Sequence, residues 1–269
     1  MPDQAENHKD EGFLTQTGHQ VVAFMDYMGE MALFFLEAAA SVFKPPWFLK
    51  ELVAQMYYLG VKSFFLVLVA AFALGMVLAM QSIKVLTWFG AGNYIATLTA
   101  FAMVREMGPI ISAIMLAARG GAGMGAELGS MRVTRQIDAL TVSAVNPMKY
   151  LVVTRITACI LILPLLAVFA DIVGIIGGMI IGVTQAGMSA TSYYYLTIKY
   201  LTVKDVLPGI GKCLVFGAIV GTVSCYHGYN TKHGTFGVGN ATKAAVVVSI
   251  LLILIADVFL TKITILLWG

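Results

Sequence analysis

Apolar runs close to the length that crosses a bilayer recur along this chain, and their recurrence leaves few folds open. The clearest is SFFLVLVAAFALGMVLAM, residues 63–80, which contains no charge. A helix needs about 20 apolar residues to span the hydrocarbon layer, where no water can satisfy a free backbone N–H or C=O. Only helices and closed barrels meet that condition, and the period-two alternation of barrel strands is absent from the runs. Charged residues make up 12% of the chain and hydrophobic ones 59%, with mean hydropathy +0.87. A soluble domain carries about 25% charge. The chain therefore reads as an all-α integral membrane protein.

Spans are expected over about 52–89, 94–129, 150–183, 206–226 and 244–268. Between the second and third, MRVTRQIDALTVSAVNP sets Val133, Ile137 and Leu140 at helical spacing, with Arg132, Arg135 and Asp138 off that face. It stops at Asn146-Pro147, which predicts a short amphipathic helix outside the bilayer over about 130–144. Near the start, Asp26, Glu30 and Glu37 share one face of an otherwise apolar stretch closed by Pro45-Pro46 and Trp47. That pattern predicts a helix lying in the membrane interface. Residues 1–44 are thus a tail plus interfacial helix, and 45–269 form the membrane domain. The first eighteen residues lack the basic start and cleavage site of a secretory signal, so the tail is expected to be retained. After span three, SATSYYYLTIKYL has the tyrosine content of an interfacial segment.

Basic residues set the orientation. Lys44 and Lys50 precede span one, Arg132, Arg135 and Lys149 follow span two, and Lys232 and Lys243 follow span four. The loop TWFGAGN after span one has none, whereas Lys199 and Lys204 after span three run against the trend. The positive-inside rule predicts a cytoplasmic N-terminus and, with five spans, a C-terminus on the other side.

Small residues recur every four positions at Ala113, Ala117, Gly121, Gly125 and Gly129, again at Ala170, Gly174, Gly178 and Gly182, and at Gly217 and Gly221. Such ladders let helix backbones approach closely, either within one subunit or between two. Charges also fall inside or beside the spans: Arg105, Glu106, Arg119, Glu127, Arg155, Asp171, Lys212, Asp257 and Lys262. Arg119, Glu127 and Arg155 lie near span ends, where snorkelling to the interface accounts for them. A deeper charge costs about 3 kcal/mol on the lenient insertion scale, so Arg105, Glu106, Lys212 and Asp257 should face a protein interior or a wet cavity. Helix neighbours point about 100° apart, so Arg105 and Glu106 should address different surroundings. On span one, Leu78, Ser82, Val85, Leu86 and Phe89 form one nearly apolar face, which lipid exposure or core packing explains and which also suits an acyl-chain substrate.

Several chemistries are excluded. GAGMGAELG does not fit the dinucleotide spacing and GIGKC lacks the full Walker pattern, so no nucleotide loop is present. No nucleophile–base or metal-ligand spacing is visible, so no catalytic and no metal-binding residues are assigned. Cys159, Cys213 and Cys225 fall in apolar segments and read as small buried hydrophobes. His227 and His233 are placed in a Gly-rich loop. Net charge is +3 without a basic, aromatic-interleaved block, so no nucleic-acid partner is indicated.

Over VREMGPIISAIMLAARGGAGMGAELGSMRVTRQIDALTVSAVNPMKYLVVTRI, and at GMVLAMQS, HGYNTKHGTFGVGNATKAAVV and IADVFLT, the sequence strongly resembles the MlaE/YrbE permeases. These are the membrane subunits of ABC systems that move phospholipids and related lipids with MCE-domain proteins. The resemblance implies a homodimer in the bacterial inner membrane, with its C-terminus periplasmic and a role in outer-membrane lipid asymmetry. It implies a cytoplasmic ABC ATPase that binds the ATP and Mg, a periplasmic MCE-domain partner and a small regulatory subunit on the ATPase; this chain would hold no cofactor and be no enzyme. The helix in GSMRVTRQIDAL would be the coupling helix, with Glu127, Met131, Arg132, Arg135, Gln136, Asp138 and Leu140 meeting the ATPase. Leu78, Val85, Leu86 and Phe89 would line an outward-opening lipid cavity at the dimer interface, with Glu106 near its polar part. Arg105, Lys212 and Asp257 match charged family positions. The competing class is an ion-coupled secondary transporter relaying protons through Glu106, Lys212 and Asp257, although five spans do not divide into equal repeats.

Overall fold

The computed structural model describes residues 3–42, 44–232 and 234–268. It divides into two compact units, Met1–Pro45 and Pro46–Gly269. The first is a single helix, α1 (Asp3–Val42). Its backbone is helical from Asp3, so most of the stretch read as a tail belongs to the same helix as the acidic face. Asp26, Glu30 and Glu37 are exposed, and α1 is not among the helices long and apolar enough to cross a membrane.

The second unit begins with α2 (Leu49–Trp88) and a short 3-10 turn at Gly92–Tyr94. Helices α3 (Ile95–Ala102), α4 (Gly108–Leu116) and α5 (Ala122–Val133) follow, joined into one run by π turns at Met103–Met107 and Ala117–Gly121. Then come α6 (Gln136–Val142), a π turn at Met148–Val153, α7 (Thr154–Thr184), α8 (Ala190–Tyr200), α9 (Val203–Tyr229) and α10 (Gly234–Trp268). Five stretches can cross a membrane: Leu49–Trp88, Ile95–Val133, Met148–Thr184, Val203–Tyr229 and Gly234–Leu267. Among the described residues there is no strand. This is an all-helical, multi-pass membrane protein.

Span two is interrupted for a reason visible in its residues. Pro109 has no N–H to continue the ladder, and immediately before it Gly108 N–H bonds the carbonyl of Met103, five residues back. The resulting π turn contains Arg105 and Glu106.

Packing relies on close approach, since lipid provides no hydrophobic drive between helices. Helix α2 lies along α7, α7 packs on α9, and α5 and α9 pack on α10. A Cβ at Gly75 would run into the backbone carbonyl of Gly174, and one at Gly217 would come within 2.7 Å of the Cys159 carbonyl. Gly125 meets Ala245, and Gly129 meets Thr231 and Val238, so the ladder on span two faces helices of the same chain. Leu59, Val67, Met103, Leu116, Leu163 and Phe216 fill the core between these contacts. The three cysteines are buried and free.

The helix expected over about 130–144 is split. Helix α5 continues to Val133, the chain turns at Arg135 with φ 58°, and α6 covers only Gln136–Val142 before a second left-handed residue, Ala144, at φ 59°. Of the three residues expected on its apolar face, Ile137 is buried while Val133 and Leu140 are not. A left-handed residue with a Cβ costs about 1–2 kcal/mol, partly offset in a glycine variant by added unfolded-chain entropy. Ala144→Gly is therefore expected to raise stability by up to about 1 kcal/mol. A lower thermal midpoint in detergent would contradict that.

Helix α8 starts at Ser189, whose hydroxyl accepts the Ser192 N–H at 3.1 Å. Tyr194 and Tyr195 are exposed, and the Lys199 ammonium lies over the Tyr195 and Tyr200 rings at 5.8 and 5.4 Å. On the inner face Tyr193 is buried, which pushes its phenol up to about 12. These aromatic contacts occupy Lys199, one of the two lysines that run against the charge bias.

Candidate functional site

Arg105 and Glu106, adjacent in the π turn, turn to different partners. Arg105 Nε donates to Asp205 Oδ1 at 3.0 Å, and its Nη2 makes an ion pair with the same oxygen. The other Asp205 oxygen accepts the Thr202 N–H and hydroxyl at 2.9 and 2.6 Å, so the carboxylate also caps the start of α9. Arg105 keeps 44% of its side chain exposed, whereas Asp205 keeps 5%. Its guanidinium also lies 5.1 Å from the Phe101 ring.

Glu106 enters a second cluster. Lys212, on α9, donates to Glu106 at 2.5 Å, to Asp257 at 2.9 Å and to the Thr261 hydroxyl at 2.7 Å. Thr261 in turn donates to Glu106 Oε1 at 3.1 Å. All three ammonium hydrogens have acceptors, as burial of a lysine demands. Lys212 is 2% exposed, Asp257 16% and Glu106 29%, so Glu106 is the most accessible member. Lys212 lies seven residues beyond Asp205 on the same helix, about 10 Å deeper along its axis. The charges thus form two levels, an outer one at the first turn of α9 and an inner one below it.

Asp171 is on α7 against Gly108, and its Oδ1 has no hydrogen-bond partner among the described residues. At the same end of the spans as the α9 N-terminus, α2 presents Val85 and Phe89 exposed, with Leu78 and Leu86 partly buried. Leu78 packs against the core. A separate apolar groove of about 540 Å³ lies between α2 and α7, lined by Tyr57, Phe64, Ile162 and Phe169 among others.

Three placements differ from expectation. Arg155 does not snorkel: it is 2% exposed and pairs with Glu127 at 2.9 Å. Glu127 thereby has a partner inside the chain, while Arg119 is exposed. His227 lies within α9, because span four runs on to Tyr229, and its ring meets Tyr226 edge-on; His233 lies outside the described residues. The remaining residues proposed for the ATPase contact are near one corner, Met131 and Arg132 on α5, Arg135 at the turn, and Gln136, Asp138 and Leu140 on α6. Arg132 and Asp138 are bonded to each other at 3.1 Å.

Asp205 and Thr261 are the members missed in the sequence. Both had a signal: Thr202 and Asp205 have capping-box spacing, and Thr261 follows Asp257 by four residues on one helix face.

Five spans enclosing two paired charge clusters, with a corner helix at one end, define a multi-pass membrane protein with a structured polar interior. A family model described as Permease MlaE matches residues 52–263. A probable ABC transporter permease protein of Rickettsia typhi is 38% identical over 245 residues, 91% of this chain and 95% of its own length. The intermembrane phospholipid transport system permease protein MlaE of Haemophilus influenzae is 31% identical over 256 residues, 93% of this chain and 97% of its own. A probable ABC transporter permease protein of a Synechocystis strain is 35% identical over 212 residues, 79% and 81% of the two chains. The chain belongs to the MlaE permease family.

Proposed function

We propose that this chain is the permease subunit of an ABC transporter that moves phospholipids between membranes. Its membrane is the bacterial inner membrane, with the N-terminus and α6 cytoplasmic and α8 periplasmic. Family membership carries the reading, and the name of the Haemophilus relative supports the cargo. Hydrolysis occurs in a separate ATPase that docks at the α5–α6 corner, and an MCE-domain protein receives or delivers lipid on the other side.

The placement of several side chains supports this reading. Val85, Leu86 and Phe89 offer an apolar wall for acyl chains at the periplasmic end of α2, and a second copy of the chain closes the cavity over it. The exposed part of Arg105 offers hydrogen-bond donors to a phosphate headgroup at the same level. Deeper in, Glu106 is the accessible edge of a cluster whose lysine is already engaged by Asp257 and Thr261. Transport then requires that ATP-driven movement at α6 change the cavity's affinity for lipid, since equal affinity in both states would move nothing. The ion-coupled alternative lacks a comparable support: every donor of Lys212 has a partner, and the family match is to a permease.

Leu140→Asp is the direct test of docking. The variant is expected to insert normally but to lose its ATPase on affinity purification, by tenfold or more. Unchanged copurification would remove α6 from the coupling role. A photoreactive amino acid at Phe89 should crosslink phospholipid, and absence of lipid adducts there would place the cavity elsewhere.

A further inference from the structure

Helices α5 and α7 flank α6 in the chain, yet both pack on α9 and hardly on each other. One ion pair joins them directly, from Arg155 Nη2 to Glu127 Oε1 at 2.9 Å. Arg155 Nη1 also donates to the Leu151 carbonyl at 2.9 Å, inside the π turn Met148–Val153. The same guanidinium therefore holds the entry of span three and the exit of span two. Its Nε has no acceptor among the described residues.

Stability alone does not account for this arrangement. Burying a guanidinium against a half-exposed carboxylate costs desolvation that an apolar side chain of similar volume would not, and a buried donor left without an acceptor is unfavourable. Around the pair, the connections are unequal. Helix α6 packs on α5, with the exposed Arg132–Asp138 ion pair across the corner between them. Helix α5 meets α9 and α10 almost backbone to backbone, through Gly125 against Ala245 and Gly228 against Leu128. Movement of α6 thus passes readily into α5, α9 and α10. Helix α7 receives it through its packing on α9, where Gly221 lies against Ile156, and directly from the end of span two through the Arg155–Glu127 bridge.

We infer that Arg155 and Glu127 are positioning residues for coupling: their bridge ties the start of span three directly to the end of span two, so that these two ends move together when α6 is displaced. This assigns Glu127 an internal role in place of an ATPase contact. The inference rests on the reading that an ATPase drives the chain through α6.

The test uses the intact complex in proteoliposomes of phosphatidylethanolamine and phosphatidylglycerol, comparing wild type with the double variant Glu127→Leu, Arg155→Met. The measured quantity is labelled phospholipid moved per ATP hydrolysed, with the thermal midpoint recorded alongside. The expected result is a ratio at least tenfold lower at a midpoint within a few degrees of wild type. Glu127→Gln, which keeps the shape and removes the charge at a half-exposed position, should lower the ratio severalfold and serves if the double variant does not assemble. A wild-type ratio in either folded variant overturns the inference and leaves the pair purely structural. A wild-type complex without any ATPase overturns the underlying reading, and the inference with it.

Discussion

Lys212→Met is expected to be the most damaging single substitution in the polar interior. It leaves Glu106 and Asp257 facing one another with no cation between them, at positions 29% and 16% exposed. Removing one partner of a buried pair costs about 3–5 kcal/mol, because the remaining charge stays in the low-dielectric interior. A membrane protein with ordinary stability has little margin for such a loss. Purified in mild detergent, the variant should show a greatly reduced thermal midpoint and a reduced folded yield. The triple variant with Glu106→Gln and Asp257→Asn removes both orphaned charges and should recover most of the lost midpoint. If the single variant were as stable as wild type, the cluster would not be holding α9 to spans two and five.

The second large effect is at Gly75. Any side chain there meets the carbonyl of Gly174, which is backbone and cannot rotate away. Gly75→Val should therefore separate α2 from α7 along the most extensive helix contact in the chain. Overpacking a core usually costs about 1–3 kcal/mol, and a clash with backbone belongs at or above the upper end. The expected readout is loss of monodisperse protein on size exclusion, whereas Gly211→Ala, where a Cβ meets nothing within 4 Å, should behave as wild type. Equal behaviour of the two variants would show that the Gly75 contact is not limiting.

Much of this was legible in the sequence because the bilayer restricts the choices so strongly. Length and apolarity locate five spans, whose ends move by about four residues or fewer in the structure except at the fifth, where the helix starts ten residues earlier than expected, at Gly234. The different surroundings of Arg105 and Glu106 also follow from helix geometry alone. Their partners did not, because Asp205 lies 100 residues away from Arg105 and Lys212 lies 106 from Glu106. Sequence spacing reports neighbours on one helix, and these pairs depend on which helices pack together. The same limit explains Arg155, whose position at a span end suggests snorkelling, whereas in the structure its buried guanidinium is paired with the half-exposed Glu127 of α5. The division of the stretch over 130–144 into α5, a corner and α6 was hidden for a different reason. Its two left-handed residues are Arg135 and Ala144, and neither is the glycine or asparagine that ordinarily signals such a turn.

The central claim is that this chain works as an ATP-driven phospholipid permease. It is tested most directly by purifying the full-length protein from its native membrane through an affinity tag and identifying what accompanies it by mass spectrometry of both protein and lipid. The expected companions are an ABC ATPase in constant ratio to the permease, an MCE-domain protein and bound phospholipid, with the ATPase lost in Leu140→Asp. A complex free of ATPase, whose transport instead followed an ion gradient and changed its pH dependence in Glu106→Gln, would contradict it.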